Sequence, residues 1–142
     1  MKKYNPKARR LAREFIVQAL YQWQLAEKSL SALKSNVAEG EDFEKCDKEY
    51  FAAGVDSILS DVSHWDNLLK PFLDRDLGVL DPVEHAILWL GAYELSEQAQ
   101  VPSVVAINEA VEVSKLYGAT DSHKYINGVL DKLAKQTIAK DS

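Results

Sequence analysis

Apolar residues recur at three- and four-residue spacing along most of the chain, the pattern of amphipathic helices. In the first stretch, about Pro6 to Glu27, Ala8, Ala12, Phe15, Ile16, Ala19 and Trp23 fall on one stripe. A weaker helix is expected from Ser29 to about Ala38, followed by an acidic loop near Gly40 to Asp42. Tyr50, Phe51, Val55, Ile58 and Leu59 mark a third helix between about Asp47 and Asp61. Trp65, Leu68, Leu69 and Phe72 mark a fourth, with Ser63 as its expected cap. Leu73 to Leu80 reads as a connector.

Asp81, Pro82 and Glu84 form a helix start signal: a side-chain acceptor, a residue suited to the first position, and an acid three residues after the cap. The fifth helix runs to about Ala99 and is apolar almost all round from Ala86 to Tyr93. Such a helix is either central in the fold or shows one side to another molecule. Ser103 opens a sixth helix, with Gly118 as its stop, and Asp121 caps a seventh carrying Tyr125, Ile126, Val129, Leu130 and Leu133. Residues after about Thr137 are expected to fray. No strand, internal repeat or linker is evident, so the expectation is one all-α domain over residues 1–142.

The 142 residues suffice for a core without staples. Cys46 is the single cysteine, which excludes an internal disulfide and points to a reducing cytoplasm. No run approaches ~18 apolar residues, so no membrane span is expected. Charge is unevenly placed. The net charge is −5, yet residues 1–13 hold Lys2, Lys3, Lys7, Arg9, Arg10 and Arg13 with no acid. Removing those six from 17 basic residues leaves 11 against 22 acids. A basic arm on an acidic body confines polyanion binding to one end.

Catalytic signals are absent. There is no phosphate-cradling glycine loop, no HExxH pair and no GxSxG elbow. His64, His85 and His123 are scattered singly, and the acids Glu44 and Asp47 beside Cys46 should raise its thiol pKa. No enzyme activity, cofactor or metal is expected.

Two segments carry binding chemistry. At about 100° per residue, Arg9, Arg10, Arg13, Val17, Tyr21 and Gln24 share a second face of the first helix. Guanidiniums bind phosphates and stack on bases, and a tyrosine ring can stack. The same face also reads as a solvated basic end with a half-buried Tyr21. Cations at a helix N-terminus oppose the helix dipole, which favours the binding reading. The second segment is Thr120 to Gly128, where Asp121, Ser122, Lys124 and Tyr125 sit at a helix start with free amides. By itself it reads more readily as a simple cap with Tyr125 in the core.

Arg9-Arg10 and Ala12-Arg13-Glu14, followed by Val17-Gln18-Ala19-Leu20-Tyr21-Gln22-Trp23-Gln24-Leu25, resemble the start of the bacterial transcription antitermination family NusB. Ala92-Tyr93-Glu94-Leu95, Val101-Pro102, Val105-Ala106-Ile107-Asn108-Glu109-Ala110 and the run from Asp121 to Lys132 extend the resemblance over nearly the whole chain. The region from about Ser31 to Lys48 matches least. Leu11 interrupts an arm that is commonly richer in arginine, with Lys7 just upstream.

The resemblance implies about seven helices in two three-helix groups. It implies binding to the boxA element of ribosomal RNA transcripts together with NusE, a small-subunit ribosomal protein, in an RNA polymerase antitermination complex. Carried over by position, the RNA surface is Lys7, Arg9, Arg10, Arg13, Tyr21 and Gln24, with Asp121, Lys124 and Tyr125. Glu84 and Leu88 on the fifth helix are the expected NusE contacts, and the apolar fifth helix allows a homodimer. About four to six phosphate contacts would give a log affinity against log salt slope of roughly −3 to −4. NusB-like domains also occur fused to ribosomal RNA methyltransferases, which offers a second reading as an RNA-binding module serving such an enzyme. A third reading is an acidic helical adaptor without RNA contact.

Overall fold

The computed structural model describes residues 4–117 and 121–141, with side chains described up to residue 137. Lys2, Lys3, the expected stop at Gly118, and Thr120 lie outside the described residues. The described residues form seven α-helices and three single 3-10 turns, with no strand. The chain divides into two compact units, Met1–Ser60 and Asp61–Ser142.

The first unit holds α1 (Pro6–Ala26), α2 (Leu30–Ala38) and α3 (Lys48–Ser60). Pro6 takes the first helical position of α1, and Asn5 Oδ1 caps it by accepting from the Ala8 amide at 3.1 Å. Glu27 ends α1 in the left-handed region at φ 44°, and its amide donates to the Trp23 carbonyl at 2.7 Å. Ser29, where the pattern put the start of the weaker helix, is the cap of α2 and accepts from the Ala32 amide at 3.2 Å. Asp47 caps α3 by accepting from the Tyr50 amide at 3.2 Å. Phe43, from the 3-10 turn Phe43–Lys45, sets its ring edge-on to Phe15 and Phe51 at 5.1 and 5.3 Å. The acidic loop is thus pinned by one aromatic residue.

The second unit holds α4 (Val62–Leu69), α5 (Pro82–Glu97), α6 (Ser103–Leu116) and α7 (Ser122–Asp141). The cap of α4 is Asp61 rather than Ser63: Asp61 Oδ1 accepts from the His64 amide at 3.2 Å, which leaves Ser63 inside the first turn. Asp81 caps α5 through the Val83 and Glu84 amides, at 2.9 and 3.3 Å. The 3-10 turn Leu77–Val79 interrupts the expected connector, and a second, Lys70–Phe72, takes the end of the expected fourth helix. α7 continues to Asp141, past the expected end of order at Thr137.

Every residue of α5 from Ala86 to Glu94 is buried. Of the two alternatives for an all-round apolar helix, α5 is therefore the central one. It packs against α4, α6 and α7, and each large side chain so enclosed contributes about 1.5–3 kcal/mol. This corrects the expectation for Leu88: it is 0% exposed and belongs to the core, out of reach of a partner protein.

Candidate nucleic-acid interface

In the first unit, the basic face of α1 does not emerge as one strip. Lys7 and Arg10 are exposed, but Arg13 is only 1% exposed and Val17 is buried with it. Burial takes in Ala12, Arg13, Phe15, Ile16, Val17, Ala19 and Leu20, a little over half the girth of the helix at about 100° per residue. The sequence pattern implied a single buried stripe, and the expected exposure of Arg13 is corrected accordingly. Trp23 departs in the opposite sense: it was read into the core stripe and is half-buried.

Arg9 is committed within the fold. Its Nε donates to Asp47 Oδ2 at 3.3 Å, and its guanidinium carbon lies 3.8 Å from the Tyr50 ring centroid and 5.1 Å from that of Tyr4. The guanidinium is held by α3 on one side and the start of the chain on the other, so it serves packing as well as charge. Tyr4, Arg9, Cys46 and Asp47 line an open cleft of about 380 Å³. The Cys46 thiol is raised above its ordinary pKa chiefly by burial, with Asp47 and Glu44 adding and Lys48 opposing. The acids singled out in the sequence act in the expected direction but are not the main cause. Further along α1, Tyr21 is 36% exposed, and Gln24 is half-buried with Nε2 donating to the Leu20 carbonyl at 3.4 Å.

In the second unit, Asp121 and Lys124 are exposed at the start of α7. The Asp121 carbonyl accepts from the Lys124 and Tyr125 amides, which fixes it as the residue before the helix. Ser122 donates from its hydroxyl to Glu84 Oε2 at 2.6 Å, tying the first turn of α7 to the first turn of α5. Glu84, expected as a partner contact, is thus half-buried and holds a structural hydrogen bond.

Tyr125 is half-buried with its hydroxyl turned inward, and burial pushes its pKa up. One face of its ring is covered by Arg75, whose guanidinium carbon lies 4.1 Å from the ring centroid. Arg75 was missed in the sequence, because it stands in the connector, 50 positions from the residue it covers; its pairing with the adjacent Asp74 was the one visible hint. Asp74 Oδ1 accepts from Arg75 Nε at 2.7 Å and Oδ2 from the terminal nitrogen at 3.4 Å. This hydrogen bonding holds the Asp74 carboxyl below its ordinary range and raises Arg75 above its own.

Among the described residues, no group of three or more metal-ligating side chains converges, and no helix is long and apolar enough to cross a membrane.

Comparison with known proteins bears on the whole chain. The model of the NusB family matches residues 10–135. The transcription antitermination protein NusB of Alcanivorax borkumensis is 51% identical over 132 residues, 93% of this chain and 88% of that protein. Its counterpart in Pasteurella multocida is 47% identical over 133 residues, 94% of this chain and 91% of that one. The solved structure of T. maritima NusB is 31% identical and superposes with a TM-score of 0.79, over 96% of this chain and 94% of that one. A solved complex of the antitermination factors NusB and NusE with double-stranded RNA contains a chain 26% identical, with a TM-score of 0.84 over 93% of this chain and 99% of that one. Sequence and fold agree from the basic arm to α7, and the chain belongs to the NusB family.

Proposed function

We propose that this chain is a transcription antitermination factor that binds the boxA element of ribosomal RNA transcripts together with NusE, and so supports processive ribosomal RNA transcription. The observation that carries this reading is the likeness, at a TM-score of 0.84, to the NusB chain of a complex that holds both NusE and RNA. The chain works by binding, as its family does, and not as an enzyme. It acts in the cytoplasm within the RNA polymerase antitermination complex.

Residue chemistry supports a division of labour. Lys7, Arg10 and Lys124 are exposed cations suited to phosphates. Tyr21 offers a partly exposed ring, and Asp121 an exposed acceptor for a base edge. Arg9 and Arg13 serve mainly to brace α1. NusE docks near the start of α5, where Glu84 is the surviving candidate.

The test is a gel-shift competition between boxA and scrambled RNA, with and without NusE. BoxA should compete more strongly, and NusE should raise the affinity of the pair. Equal competition by the scrambled strand overturns the reading. Binding of NusE with no binding of either RNA favours the adaptor instead.

A further inference from the structure

We infer that Arg75 and Tyr125 form a layered platform on which one exposed RNA base stacks, with Asp74 holding the guanidinium plane in place. The inference rests on the RNA-binding reading above and adds to it a residue and a geometry. The half-buried Tyr125 ring, on the first turn of α7, is the lower layer. The Arg75 guanidinium is the upper layer, at 4.1 Å, and its side chain is 40% exposed. The guanidinium covers one face of that ring and is itself exposed, so a base reaching that face meets the guanidinium before the ring. The two-point contact with Asp74 fixes the plane's rotation, which a lone arginine on a connector would not have.

Asp74 also decides what the platform contributes. Its carboxylate balances the Arg75 charge locally, so the pair adds little net attraction for phosphate. What remains is a flat, polarisable face of the kind on which unstacked RNA bases rest. Arg75 is therefore a stacking residue and Tyr125 a positioning residue beneath it. Lys124, on the first turn of α7, supplies the nearby phosphate charge that Arg75 does not.

The experiment uses the full chain and a single-stranded boxA oligonucleotide, with each base removed in turn to leave an abasic position. Arg75→Lys keeps the charge and loses the plane. It should weaken binding to intact RNA about fivefold or more while leaving the salt slope unchanged. That loss should vanish on the RNA lacking one particular base. An Arg75→Lys affinity within twofold of the parent overturns the inference, as does a loss that is equal on every abasic RNA. If Arg10→Ala weakens binding while Arg75→Lys does not, the platform fails and the RNA-binding reading stands. If the parent chain binds no boxA RNA, with NusE or without it, both fail.

Discussion

Gly91 of α5 lies directly against Leu130 of α7. A Cβ placed on Gly91 would sit 2.5 Å from Leu130 Cδ1 and 2.8 Å from Cδ2. Both residues are buried, and Leu130 is 0% exposed, so the leucine would have to turn within the core to make room. The glycine is there for close approach, in the middle of a helix where it otherwise costs about 1 kcal/mol relative to alanine. Gly91→Ala should therefore destabilise the protein by about 1–3 kcal/mol, against the trend of helix propensity. Combining it with Leu130→Val should relieve part of that cost. Urea unfolding of the four-member cycle measures the coupling, and strict additivity would refute the contact.

Asp66 of α4 serves two donors with one oxygen. Its Oδ1 lies 2.7 Å from His85 Nε2 and accepts from Trp89 Nε1 at 2.8 Å. Trp89 is 1% exposed, so its indole N–H has no recourse to water. Asp66→Ala should cost about 1–3 kcal/mol by stranding that donor. Asp66→Asn keeps an acceptor oxygen and should cost less. Equal losses in denaturant would show that the hydrogen bond to Trp89 is not what matters.

With Arg13 buried and Arg9 held by Asp47 and Tyr50, the exposed cations at the two candidate segments among the described residues are Lys7, Arg10 and Lys124. About three phosphate contacts predict a log affinity against log salt slope near −2 for single-stranded RNA, shallower than the −3 to −4 expected from the sequence. Filter binding across a salt series decides between the two. A slope of −4 would require further cations, from Lys2 and Lys3 or from Arg9 and Arg13 leaving their places on binding.

Arg10→Ala should weaken boxA and scrambled RNA by the same factor, since a phosphate contact carries no sequence information. Asp121→Ala should narrow the gap between the two RNAs instead. Competition titrations give both quantities, and loss of discrimination from Arg10→Ala would reject this assignment.

The Asp74 carboxyl is depressed by its hydrogen bonds to Arg75, which sets the sign of a pH effect. A lowered folded-state pKa gives stabilisation that is complete above the unfolded value and lost as pH falls through the folded one. The Asp74–Arg75 contact should thus persist through the pH range where ordinary aspartates protonate, and dissolve only below it. A titration followed by NMR at the Asp74 carboxyl carbon checks this. A midpoint equal to that of the urea-unfolded chain would exclude the pairing.

The helices were legible because their signals are local. Pro6, Ser29, Asp81 and the apolar periodicities act within a few residues, and α1, α2, α3 and α5 start within a residue of where the pattern put them. Ser63 misled because Asp61, two positions earlier, is an equally good cap, and propensity cannot choose between adjacent acceptors. The site was legible in part. Lys7, Arg10, Asp121 and Lys124 are exposed as a binding role requires. Arg13 and Leu88 are not, because a helical wheel reports which residues share a face but not how many faces are covered.

The order of charges and apolar residues was enough to determine an all-helical chain and a basic start on an acidic body, while the residues of the runs from Arg9 to Leu25 and Asp121 to Lys132 carried the resemblance to its family. Tertiary structure alone decided which cations reach solvent, that α5 is enclosed, and that Arg75 lies over Tyr125. The reason is one of range: capping and periodicity are settled between residues a turn apart, whereas burial and stacking depend on what distant segments bring alongside.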